Sequence, residues 1–251
     1  MDDAKVWGRN PVLEALRAGH PCNKIIIARG SRGAVGDIVA RAKEKGIPVQ
    51  FVPREVLDRL SGGANHQGVI AYLSPREYAP LEEILNRAET RGEDPLILVL
   101  AGWEDPQNMG AVIRSAEAAG VHGVIIPRHR AVPLTAAVAK ASAGALEYML
   151  VSRVGNLSQT LEGLKKLGIW VVGADAEAEL SVYDADLTGP LALVIGGEGK
   201  GLGNLAKVCD YLVRIPMQGK IGSLNAAAAG SVLVFEVLRQ RMQGGKQKLG
   251  G

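Results

Sequence analysis

An α/β protein of two units, the second built on a mostly parallel sheet, is predicted by three features of this sequence. Short apolar runs rich in Val, Ile and Leu alternate with helical patterns of about ten residues along most of the chain. Aromatic residues make up only 4% while glycines number 32, so burial falls to aliphatic side chains, as in parallel sheets covered on both faces. A polar, proline-bounded stretch at 75–95, with 3 Arg against 6 acids, interrupts the alternation and divides the chain.

In chain order, Asn10 and Pro11 ahead of Val12, Leu13, Ala15 and Leu16 predict a helix start, with Asn10 as its cap and Pro11 in its first turn. Residues 24–28 (KIIIA) read as a buried strand, 35–45 as a helix stopped at Gly46, 49–52 as a strand, 54–60 as a helix and 68–73 (GVIAYL) as a third strand. Residues 1–74 therefore make one small α/β unit, and 75–95 a linker carrying a short helix over 81–88. From residue 96 the pattern is doubly wound. Strands are expected at 96–102, 123–127, 169–174, 191–197 and 211–216, with an extended stretch at 146–151. Helices are expected at 111–119, 135–143, 157–167 and 202–209, and a long one at 223–240. This second unit spans 96–243, and the low-complexity tail 244–251 frays.

Charge and cysteine content exclude several function classes. The net charge is +3, and residues 1–74 hold 11 Lys and Arg against 7 acids while the remainder holds 18 against 19. The positive excess thus sits in the first unit and permits an anionic partner. Two distant cysteines, Cys22 and Cys209, and four scattered histidines offer no metal-ligand spacing, so no metal is expected and a reduced, cytoplasmic setting is. The acidic N-terminus lacks an apolar leader, and no apolar run is as long as a membrane span.

Three polar clusters follow apolar strands directly, the position at which open α/β sheets bind ligands. The first runs Asp105-Pro106-Gln107-Asn108-Met109-Gly110 into a helix that carries Arg114, with Asn108 as the candidate cap. The second is Gly196-Gly197-Glu198-Gly199-Lys200-Gly201-Leu202-Gly203. It has neither the Walker A nor the GxGxxG spacing, and Glu198 would repel a phosphate, which disfavours a nucleotide-phosphate cradle. The third is Ile215-Pro216-Met217-Gln218-Gly219 followed by Ser223-Leu224-Asn225, where either Ser223 or Asn225 is placed to cap the last helix. Each cluster alone also reads as ordinary turn and cap chemistry; their common placement argues for one converging site.

Taken in order, D-P-x-N-x-G-x-x-x-R, I-G-G-E-G-x-G-L and I-P-M…S-L-N resemble the three motifs of the SpoU/TrmH-type RNA ribose 2′-O-methyltransferases of the SPOUT superfamily, over roughly 95–242. The segments V-W-G-R-N-P-V-L-E-A-L and N-H-Q-G-V-I-A extend the likeness to the substrate-binding domain of RlmB-like enzymes, which methylate a guanosine of 23S rRNA and whose N-terminal domain is similar to small RNA-binding ribosomal proteins. The resemblance implies a C-terminal domain with a deep trefoil knot and a homodimer whose sites draw on both subunits. It also implies S-adenosyl-L-methionine (AdoMet) held by Gly196, Gly197, Gly201, Ile215, Met217 and Leu224, and a polar set of Arg114, Asn108, Glu198, Ser223 and Asn225, with Glu198 expected to restrain the Arg114 guanidinium. A guanidinium stays protonated at neutral pH, so Arg114 is expected to position phosphate and ribose rather than to act as a base. The chain departs from the family at Ala227, where relatives commonly carry a second serine. Arg9, Arg29, Arg32, Arg128 and Arg130 are candidate RNA phosphate contacts, along with His129. His66, with Gln67, reads either as an RNA contact or as a satisfied histidine in the turn before the third strand. A tRNA substrate, or an RNA-binding role without catalysis, remains open at this level.

Overall fold

In a computed structural model, which describes residues 4–20, 22–31, 33, 35–45, 47–73, 78–128, 130–197 and 201–247, the chain forms two compact units. The first comprises residues up to Glu77 together with Leu134–Tyr148, and the second Tyr78–Pro133 and Met149 onward. The segment 134–148, which the sequence pattern assigns to the second unit, packs with the first.

The first unit is a four-stranded sheet of order β1-β4-β2-β3, built from β1 (Ala4–Trp7), β2 (Cys22–Ala28), β3 (Val49–Val52) and β4 (Val69–Leu73). Alternation along β2 decides its two faces. Ile25 and Ile27 join Val12 and Leu16 of α1 (Arg9–Arg17) and Ile38 of α2 (Val35–Glu44). Ile26 and Ala28 face the other way, onto Leu57 of α3 (Arg54–Leu60). The helix α1 begins one residue before Asn10, after Gly8 at φ 101°, so Asn10 lies within the helix rather than capping it. The four-residue β1 escapes sequence reading because it is short and its apolar residues divide between the two faces, Val6 in one cluster and Trp7 half-buried against the other. From the later segment, α6 (Ala136–Ala141) lies against β1, and a 3-10 turn at Ala145–Glu147 lies against α1; of the stretch 146–151 expected to be extended, only the part from Leu150 onward is strand. Gly144 is required there: a Cβ on it would come within 2.6 Å of Glu14 Cβ.

The second unit is a seven-stranded sheet, parallel throughout, of order β7-β6-β5-β10-β8-β11-β9. The strands are β5 (Leu96–Ala101), β6 (Gly123–Pro127), β7 (Leu150–Val154), β8 (Trp170–Ala174), β9 (Leu180–Ser181), β10 (Leu191–Gly196) and β11 (Tyr211–Arg214). One face is covered by α4 (Leu81–Arg91) and α7 (Leu157–Lys166), which bring Ile84, Leu161 and Leu164 onto Ile97, Val99, Ile125, Ala192 and Val194. On the other, α5 (Pro106–Ala118) packs against α8 (Ala226–Gln247), which starts later than the expected 223. Gly230 makes that approach possible, since a Cβ there would meet Val112 Cγ2 at 2.6 Å, and Ser115 Oγ and Ser231 Oγ share a hydrogen bond of 2.7 Å. The expected helix at 202–209 is a 3-10 turn, Gly203–Lys207. Although β10 comes late in the chain, it lies between β5 and β8 in full parallel register, Leu191 beside both Leu96 and Trp170. The C-terminal ends of β5, β10, β8 and β11 therefore lie along one edge of the sheet, with the three polar clusters on it.

Candidate active site

The loop after β5 ends in Asp105, whose Oδ1 accepts the Gln107 N–H at 2.8 Å and caps α5, with Pro106 in the first helical position. Asn108, expected as the cap, instead sits in the first turn of α5. Its Oδ1 accepts Asn225 Nδ2 at 2.9 Å. Asn225, not Ser223, caps α8: its Oδ1 accepts the N–H groups of Ala227 and Ala228 at 3.0 and 3.2 Å. One hydrogen bond thus fastens the starts of two helices that are 117 residues apart.

The glycines of the second cluster are there because backbone passes backbone. The Gly197 N–H donates to Ala101 O at 2.7 Å, and a Cβ on Gly197 would come within 2.1 Å of Gly102 O. A Cβ on Gly196 would come within 2.2 Å of the Gly201 carbonyl carbon, while Gly197 and Gly201 form an isolated antiparallel bridge. Glu198, expected in the polar set and beside Arg114, lies outside the described residues, as do Arg32 and His129.

These loops enclose a cavity of 540 Å³, within the range of about 300–1,000 Å³ typical of small-molecule sites. Gly196, Gly197, Gly201, Ile215, Met217, Ser223, Leu224 and Asn225 all line it. Sequence reasoning missed Asp175, at the end of β8, which lines it too; the only signal was its place directly after a strand. Of the lining cations, Arg214 is already used, donating to Ala178 O at 2.7 Å. Apolar walls, backbone edges of glycine and one carboxylate suit a neutral aromatic ring with hydroxyl or amino groups, and do not suit a polyphosphate.

Arg114 lines neither this cavity nor the one beside it, and makes no hydrogen bond or ion pair among the described residues. Helix geometry sets Arg114 apart from the first polar cluster of its own chain. With α5 starting at Pro106, Arg114 is six residues past Asn108, about 240° round the helix and about 9 Å along it. Ala227, at the family's usual serine, is buried and lines neither cavity, so the departure concerns packing of α8.

Of the candidate RNA contacts, Arg29, Arg128 and Arg130 are exposed, and Arg9 is half-buried with its Nε donating to Gln67 O at 3.2 Å. His66 is not available to RNA. It is 2% exposed, its Nδ1 accepts the Gly68 N–H at 3.0 Å, and its Nε2 lies 2.8 Å from Asp58 Oδ1. It braces the turn in which Gln67 adopts φ 50°. Among the described residues no group of three His, Cys, Asp or Glu side chains gathers as a metal site, and no helix is long and apolar enough to cross a membrane.

Residues 95–235 match the SpoU rRNA Methylase family. The chain belongs to that family. Residues 5–79 match the model for RNA 2′-O ribose methyltransferase substrate binding. A Bacillus subtilis protein provisionally named TrmH family tRNA/rRNA methyltransferase YacO is 47% identical over 94% of this chain and 95% of its own length. The SpoU methyltransferase AviRb of Streptomyces viridochromogenes, in complex with the cofactor AdoMet, superposes with a TM-score of 0.83 at 28% identity, covering 97% of this chain and 92% of that one. An AdoMet-bound rRNA methyltransferase of Sinorhizobium meliloti does so with a TM-score of 0.78 at 26% identity, over 95% and 87%. The SpoU architecture accounts for both units: a parallel-sheet α/β domain that ends strands on the site, and an N-terminal α/β domain.

Proposed function

We propose that this SpoU-family methyltransferase uses AdoMet to methylate the ribose 2′-oxygen of a guanosine in 23S rRNA, in the cytoplasm and as a homodimer. The observation that carries the reading is the Asn108–Asn225 hydrogen bond, which holds the first and third motifs closed over the cavity that the glycine motif borders. AdoMet supplies a methyl already activated by the sulfonium charge; its transfer forms a C–O bond, breaks a C–S bond and releases the hydroxyl proton.

The chain's own residues bind and align. Ile215, Met217 and Leu224 give an apolar slot, the strand-end backbone offers N–H and C=O partners, and Asp175 presents an acceptor for a hydroxyl or amino group. Asn108 and Asn225 hold the helix starts that define the slot, and the Ser223 hydroxyl stands at its mouth. Arg114, remote from its own cavity, serves the cavity of the partner protomer, where its fork holds the acceptor's ribose and phosphate. The exposed apolar side chains of α8, Val232 (36%) and Phe235 (46%), with Ile221 (74%), support a second copy at this end of the molecule. The late insertion of β10 between β5 and β8 supports the knotted threading that the family resemblance implies.

The test is transfer of labelled methyl to unmodified 23S rRNA and to tRNA, followed by nucleoside analysis. Methylated guanosine from 23S rRNA is expected; product from tRNA alone would move the substrate, and none from either would refute methylation. Arg114→Ala is expected to lose about 100-fold in transfer with AdoMet affinity kept. Full activity in that variant would refute its role.

A further inference from the structure

A second cavity, of 340 Å³, adjoins the first and shares Gly197 and Ala226 with it. We propose that this cavity takes the target base and that Glu104 and Arg130 select guanine there. The inference rests on the 2′-O-methylation reading above and adds the residues that choose the nucleotide.

The cavity wall is rigid. Trp103 is buried, its Nε1 donates to Ile195 O at 3.0 Å, and its own carbonyl accepts the Val132 N–H at 2.9 Å. These two bonds pin the loop that follows β6 against the ends of β5 and β10. That loop carries Arg130, held at φ 59°, a left-handed conformation that costs an arginine energy and is retained where the surroundings impose it. Four of the cavity's side chains are polar or charged, and two of them are committed to the protein. Asp105 caps α5, and Asn108 is bonded to Asn225. Glu104 and Arg130 make no hydrogen bond or ion pair among the described residues. One acceptor and one forked donor are therefore left facing a cavity that opens onto the methyl-donor site.

Guanine matches that pair. Its N1–H and N2–H groups are adjacent donors for a carboxylate, and its O6 and N7 are adjacent acceptors for a guanidinium. Adenine and cytosine would each turn a ring-nitrogen acceptor toward the carboxylate, and uracil offers a single donor between two acceptors. A carboxylate here thus rejects the other bases by repulsion as well as selecting guanine by attraction.

The experiment compares the full chain with Glu104→Gln and Arg130→Gln on unmodified 23S rRNA transcripts, with the methylated nucleoside identified by mass spectrometry. Both side chains are on the surface, and AdoMet affinity by calorimetry is expected to be unchanged, which excludes misfolding. Each variant is expected to lose about 10- to 100-fold in transfer to guanosine, the discrimination of one good bidentate contact. A second arm uses transcripts with inosine in place of guanosine, which lack the N2 amino group. There the ratio of parent to Glu104→Gln rates is expected to fall toward one. Variants that methylate guanosine at the parent rate, or a ratio that stays the same on inosine RNA, would overturn the selection while the methylation reading stands. A parent enzyme that methylates another nucleoside, or none, would overturn both.

Discussion

The two ends of the seven-stranded sheet are both rich in polar side chains and use them in opposite ways. At the N-terminal end, polar groups are spent on the backbone. His122 Nδ1 accepts the Leu96 N–H at 3.0 Å, and Nε2 lies 3.0 Å from Glu93 Oε2. Arg241 donates to the carbonyls of Asp94, Pro95 and Gly189, and Asp210 accepts the Val171 N–H at 2.8 Å while pairing with Lys165 at 2.9 Å. These contacts close off strand starts that would otherwise leave orphaned groups. At the C-terminal end, glycines bring backbones together, two asparagines hold the helix starts, and Glu104 and Arg130 are left without protein partners among the described residues. Polar side chains at the first end are mostly spent on backbone groups, while the second end keeps an acceptor and a forked donor beside a cavity.

Four measurements would break or sharpen that contrast. The largest effect on stability is expected from Arg241→Ala, which removes a donor from three carbonyls, of which Pro95 O keeps another in the Leu191 N–H, and is expected to cost about 3 kcal/mol in urea unfolding while leaving AdoMet affinity intact. A loss of cofactor binding without loss of stability would erase the division between the two ends. Asn225→Ala removes the α8 cap and the tie to Asn108, and is expected to cost about 1 kcal/mol and also to weaken AdoMet binding, since it stands in both roles. A smaller effect concerns pH. Burial holds the His122 imidazole below its ordinary 6.5, against the opposing pull of its Glu93 hydrogen bond. The unfolded chain then binds a proton that the folded chain refuses. His122 therefore contributes stability fully above about pH 6.5 and loses it as pH falls below that value. Urea midpoints between about pH 7 and pH 5 should slope less in His122→Asn than in the parent. The smallest effect belongs to Arg130→Gln, whose unfolding should stay within about 0.5 kcal/mol of the parent.

The long aliphatic strands were readable from sequence because a buried parallel strand is apolar on both faces; Leu96–Ala101 and Leu191–Gly196 leave little room for another reading. Helix starts were read less well. Asp105-Pro106 is a stronger cap-and-first-turn pair than Asn108, and with Pro106 as the first helical residue Arg114 lies more than two turns into α5. The six-residue spacing alone turns Arg114 about 120° away from Asn108 around α5. The attachment of 134–148 to the first unit had no local signal, since Ala-rich helices pack equally well on either surface. Trp103 and Glu104 belong to no motif, and only the loop that folds back from Val132 makes a cavity wall of them.

The position of β10 carries a consequence for how the chain is made. A strand at the middle of the sheet is among the last to leave the ribosome, and until it arrives β5 and β8 present two open edges to each other. The nascent second unit must therefore wait with a gap at its centre, and its completion joins residues nearly a hundred positions apart in a single act of closure. The 540 Å³ cavity takes its lining from Ile195 of β10 and from Gly196 onward as well as from Ala174–Ala176, so its walls are complete only once that strand is in place.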